Sequence, residues 1–151
     1  MRLFFALLSL FLCLIISSML VRKYTNRANF YKNFNNFNNN MINQINFERK
    51  TLLSIIEELN ENDFSLKIKE YCNNKNNLSY DYLSEEDNKI FLEYCELLGR
   101  SDKTSQNKHL LMYEKIINEN LSCANREEKE KKTLYIKMGL MIGLILFIII
   151  I

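Results

Sequence analysis

The stretch that decides the fold is LFFALLSLFLCLIISSMLV, residues 3–21, an uncharged run of 19 residues between Arg2 and Arg22–Lys23. Its counterpart is MGLMIGLILFIIII, residues 138–151, preceded by Lys137. A helix satisfies its backbone polar groups internally, so an apolar run of about 18 or more residues can cross a bilayer. The second run is shorter: fourteen residues reach only about 21 Å at the helical rise, against a hydrocarbon core of about 30 Å. Leu134–Ile136 extend it, and Lys137 can snorkel its ammonium toward the headgroups. The expectation is an all-α, membrane-anchored helical bundle or hairpin. A transmembrane anchor is expected over residues 1–22, a cytoplasmic helical domain over 23–136, and a C-terminal transmembrane helix over 137–151.

No A-x-A site follows the first run, and Ser17-Ser18 is a weak substitute, so it reads as a retained anchor rather than a cleaved signal. Arg22, Lys23, Arg27 and Lys32 flank the first run on its inner side, and Arg126, Lys129, Lys131, Lys132 and Lys137 flank the second. The positive-inside rule then keeps the middle in the cytoplasm.

Composition narrows the function. The net charge of +2 gives no nucleic-acid footprint. Proline is absent and the only glycines are Gly99, Gly139 and Gly143, which suits helices and starves hairpin turns. Cys13, Cys72, Cys95 and Cys123 are scattered without a CxxC pair, and His109 is the sole histidine, so no zinc-ligand spacing exists and no metal or cofactor is expected. The cysteines read as reduced thiols of a cytosolic domain.

Between the apolar ends the pattern is helical throughout. Phe30, Phe34, Phe37, Met41 and Ile45 step by 4, 3, 4 and 4 through an asparagine-rich tract, one face of a helix that needs partners because asparagine is a mediocre helix former. Leu52, Ile56 and Leu59 continue a similar stripe, and Asn60–Asp63 reads as a break. Phe64, Ile68, Tyr71 and Cys72 mark a short amphipathic helix, followed by a loop near Asn73–Ser79. Ser84, with Asp87 three residues on and Glu85-Glu86 in the first turn, predicts a capping box for a helix whose buried face is Ile90, Phe91, Tyr94, Cys95 and Leu98. Gly99 fits the left-handed position that ends such a helix. A long helix is expected from Thr104 or Ser105, with Leu110, Tyr113, Ile117, Leu121 and Ala124 along one side. Arg126–Lys132, charged all round, reads as a solvated stretch running into the membrane.

Catalytic signatures are missing: no GxxxxGK, GxSxG or HExxH occurs, and adjacent pairs such as Glu57-Glu58 do not share a helix face. No catalytic residue is assigned and no enzyme is expected. Two features remain. Gly139 and Gly143 form a GxxxG pattern that lets helix backbones approach closely in lipid, with the first span of the same chain as one partner. The second is the corner Leu98–Leu110, made mildly basic by Arg100, Lys103, Lys108 and His109, with Asp102 and Thr104 as the candidate caps.

Read from Leu98 to His109, the string Leu-Gly-Arg-x-Asp-x-x-Ser-Gln-x-Lys-His resembles the signature stretch of the stage III sporulation protein AB family of endospore-forming bacteria. The layout of two end spans around a charged helical middle is similar too, although the asparagine-rich tract Asn33–Asn40 departs from the more varied helix of that family. The resemblance implies a fold like the cytoplasmic domains of type II secretion and type IV pilus platform proteins. It implies a scaffold in the complex that joins mother cell and forespore, sited in the mother-cell membrane around the forespore. Its implied partners are a cytosolic secretion-type (AAA) ATPase of the same operon and other membrane proteins of the sporulation channel. On this reading Gly99 and Asp102 shape the tip, while Arg100, Lys103 and Gln106 offer contacts. The rivals are a general platform protein of a type II or pilus system, which usually carries two copies of the helical domain and three spans, and a membrane-tethered adaptor that forms a homo-oligomer along the Phe30–Ile45 stripe.

Overall fold

The computed structural model describes residues 2–47, 63–74, 78–98 and 102–150, and every regular element among them is helical. These are α1 (Arg2–Phe47), α2 (Asp63–Asn74), α3 (Glu85–Leu97) and α4 (Lys103–Ile150). The apolar run and the asparagine-rich tract are thus one helix of 46 residues. No glycine or proline interrupts it, and both chemically different halves are free of the residues that break helices. Helix α4 likewise runs 48 residues through Gly139 and Gly143. The stripe at Leu52, Ile56 and Leu59 lies outside the described residues, as does the break before Asp63.

The chain divides into two compact units, Met1–Ala28 with Cys123–Ile151, and Asn29–Ser122. The first is an antiparallel helix pair. Its outward face is apolar: Phe4, Phe11, Met19, Met141, Ile145 and Ile148 are among its exposed side chains. Little hides inside, chiefly Ser17, Val21, Ala28 and Ala124 with the two glycines. An apolar exterior over a small-residue seam is the arrangement that suits hydrocarbon rather than water. Both long helices are long and apolar enough to cross a membrane.

The second unit is built the opposite way, around aromatic rings. Phe30, Phe34 and Phe37 of α1 meet Phe64 of α2 with centroids 5.6, 5.9 and 5.8 Å apart. Phe34 also contacts Phe91 and Tyr94 of α3 edge-on at 5.3 and 4.8 Å. Tyr94 in turn meets Tyr113 of α4 at 5.1 Å. Edge-to-face pairs add attraction beyond the area they bury. Ile68, Leu110 and Ile117 fill the remaining core. The buried face of α1 is wider than its phenylalanine stripe: Tyr31 and Asn38 are also fully enclosed.

Local capping follows the sequence closely at α3. Asp87 N–H donates to Ser84 Oγ at 3.1 Å, and Ser84 N–H returns a bond to the Asp87 carboxylate at 3.4 Å, closing the capping box. Its buried face is narrower than expected: Phe91, Tyr94 and Cys95 are buried, but Ile90 and Leu98 are only half-buried. The predicted loop begins later than expected, since Asn73 and Asn74 remain helical. The segment before α3 is anchored: Leu78, Tyr80 and Leu83 are buried, and Tyr80 exchanges two hydrogen bonds with Asn88, at 2.9 and 3.1 Å.

Candidate functional site

At the N-terminus of α4, Asp102 is the cap. Its Oδ2 accepts from Thr104 N–H at 3.2 Å and Ser105 N–H at 3.4 Å, and its carbonyl accepts the first helical bond from Gln106 at 2.8 Å. The helix therefore starts at Lys103 rather than at Thr104 or Ser105. Bonds from Ser105 and Thr104 hold the Asp102 carboxyl below its ordinary range, because each donor favours the charged form. Asp102, Lys103, Thr104 and Lys108 are exposed and His109 is half-buried. Gln106 departs from expectation. It is 5% exposed, turned into the helical unit by its place one turn before Leu110, so its side chain offers no open contact surface. Gly99 and Arg100 lie outside the described residues.

Two buried polar nodes tie the helical unit together. Tyr94 Oη donates to Asn38 Oδ1 at 3.1 Å, and Asn38 Nδ2 donates to the Leu110 carbonyl at 3.2 Å. One asparagine thus joins α1, α3 and α4. Desolvation pushes the Tyr94 phenol well above its ordinary value, with smaller contributions from Cys95 and Tyr113. The second node is Asp87, which accepts from Tyr31 Oη while closing the cap of α3. Both asparagine and capping aspartate are buried, and each has protein donors, as buried polar groups require. The sequence signals only half of this. Ser84–Asp87 is visible as a cap, but nothing local distinguishes Asn38 from its asparagine neighbours or names Tyr94 as its partner.

In the first unit Gly139 and Gly143 pack on α1 of the same chain. A Cβ at Gly139 would collide with Ser17 Oγ and stand 3.2 Å from the Cys13 carbonyl. One at Gly143 would stand 3.3 Å from Leu10 Cγ and 3.6 Å from Cys13 Cβ. The helices thus approach closely at both glycines, while Ser17 bonds back to its own helix at Cys13 O, 2.9 Å away. Toward the charged end, Tyr24 stacks on Tyr135 at 6.2 Å, Arg27 pairs with Glu127 at 2.8 Å, and Thr25 donates to Glu128 at 3.0 Å. The tract Arg126–Lys132 is thus partly engaged with α1 rather than wholly solvated. No three His, Cys, Asp or Glu side chains among the described residues gather into a metal-binding group.

These features define a class: a helical, membrane-associated protein with an apolar helix pair and a polar helical unit. The family model of stage III sporulation protein AB matches residues 68–151, and the chain belongs to that family. The match takes in most of α2, all of α3, the corner and the whole of α4, and leaves α1 outside. It makes the chain a sporulation-associated membrane component. Neither a curated sequence nor a solved structure matches.

Proposed function

We propose that the protein is a non-catalytic scaffold of a sporulation-specific secretion or channel complex between mother cell and forespore. Its helical unit lies in the cytoplasm and docks a cytosolic ATPase encoded in the same operon. The observation that carries this reading is the family match, which spans the corner and both helices that form it. The corner supports it physically. Asp102 fixes the start of α4, the Asn38–Tyr94–Leu110 node ties that helix into the aromatic core, and the exposed Lys103 and Lys108 stand on this braced base. Exposed cations at a capped helix start are suited to meeting an acidic partner surface. Arg100 and Lys103 are the proposed contacts; Gln106 instead helps seat the helix.

The test is co-purification of the ATPase with the detergent-solubilised full chain. Changing Arg100→Ala and Lys103→Ala together should cut ATPase recovery about tenfold or more, as expected for two charge contacts, with the circular dichroism spectrum unchanged. Recovery equal to that of the unaltered protein would overturn the docking assignment.

A further inference from the structure

Charge is not spread evenly between the two units. Asn29–Ser122 carries eleven Lys and Arg against fifteen Asp and Glu, whereas the helix-pair unit carries nine against three. Those three carboxylates, Glu127, Glu128 and Glu130, all lie within four consecutive positions of α4, and Glu127 and Glu128 are engaged by Arg27 and Thr25. From Lys131 onward α4 has no acidic residue, and neither has α1 anywhere along its length. Arg22, Lys23, Lys132 and Lys137 are exposed at the point where the apolar runs end. The stacked Tyr24 and Tyr135 bring the two arms to the same level there. Arg22, Lys23 and Lys137 sit between the apolar runs and this tyrosine pair, Lys132 sits just beyond it, and the exposed Glu130 lies farther out, so the level at which the apolar band ends is predominantly positive.

We propose that this base of the helix pair binds anionic phospholipid headgroups, with Arg22, Lys23, Lys132 and Lys137 holding the lipid phosphates. The proposal rests on the reading that the two helices cross the bilayer, and it is independent of ATPase docking. The occupant is a lipid rather than a free anion because the cations are continuous with the exposed apolar faces of Met19, Leu20, Leu134 and Met138, which one amphiphile covers together with its phosphate. The whole chain is nearly neutral, so the preference comes from this local segregation and not from overall charge.

The experiment uses the full chain in nanodiscs of phosphatidylcholine with a minor fraction of phosphatidylglycerol, and native mass spectrometry of the lipids retained when the disc is stripped. The unaltered protein should retain phosphatidylglycerol about fivefold or more above its bulk share. The combined variant Arg22→Gln, Lys23→Gln, Lys132→Gln and Lys137→Gln should retain the two lipids in bulk proportion. Carbonate extraction of both proteins separates the claims: a variant still integral but without preference supports the proposal, and a protein extracted as soluble would refute the spanning reading instead. Should the Gln variant be extracted while the unaltered protein is retained, the all-Lys and all-Arg versions of the same four positions decide, since both must keep the preference. No enrichment in the unaltered protein, or enrichment unchanged in an integral Gln variant, would overturn the proposal. So would displacement of the lipid by millimolar inorganic phosphate at constant ionic strength, which would assign the site to a free anion.

Discussion

The two units solve packing in opposite senses. In the helix pair most large apolar side chains face out, and Gly139 and Gly143 meet Ser17, Cys13 and Leu10 across the seam. In the helical unit the large side chains face in, and Phe30, Phe34, Phe64, Phe91 and Tyr94 form one ring cluster. The difference follows from solvent. Water drives rings together by removing apolar area from contact with it, while lipid offers no such drive and leaves close backbone approach as the main gain. Polar atoms follow the same division. The helical unit buries Asn38 and Asp87 with protein donors to meet them, although Gln44 Oε1 and Asn107 Oδ1 are buried there without a partner; the helix pair keeps its ionic contact at its charged end.

If that contrast is right, ring deletion should be the most damaging change and should act on one unit only. Phe34→Ala removes a fully enclosed side chain with four ring neighbours and should cost about 3–5 kcal/mol. Pulse proteolysis of the full chain in detergent should show cleavage within residues 29–122 well before any within 1–28. Next in size is the asparagine node. Asn38→Ala leaves the Tyr94 hydroxyl buried without its acceptor and should cost about 1–3 kcal/mol. The double variant Asn38→Leu with Tyr94→Phe should be less destabilised than the two single changes together, measured by thermal melts, because both polar groups then leave as a pair.

The glycine seam gives a cleaner yes-or-no. The Cβ of Gly143→Cys would stand 3.6 Å from that of Cys13, inside disulfide range. Mild oxidant should then yield an intramolecular bridge on non-reducing gels; a covalent dimer would mean that the seam joins two chains. Smallest is the pH effect. The phenol of Tyr94 ionises less readily in the fold than in the unfolded chain, so its contribution is complete below about pH 10 and is lost as pH rises from there toward the folded value. Tyr94→Phe should therefore flatten the alkaline fall in melting temperature.

How far these features are legible in the sequence differs by kind. The apolar ends, the phenylalanine steps of α1 and the Ser84–Asp87 cap are local signals, set by period and by residues three apart, and they are where the structure follows the reading most closely. The GxxxG pattern names its own residues, but the choice of Ser17 and Cys13 as the seat depends on antiparallel register, which no local window contains. Asn38 and Gln106 escape a local reading for the same reason. Each is polar by type, and each is buried because a neighbouring helix supplies the environment: Asn38 finds a tyrosine 56 positions away, and Gln106 shares the inward side of α4 with Leu110.

The central proposal, that the helical unit lies on the cytoplasmic side where a motor can meet it, is tested most directly by a cysteine introduced at Lys103. A membrane-impermeant maleimide, compared against the unaltered protein to subtract its native thiols, should label this site only after wall-stripped cells are lysed. Labelling in intact cells that retain their cytosolic markers would put the corner on the outer side and contradict the account.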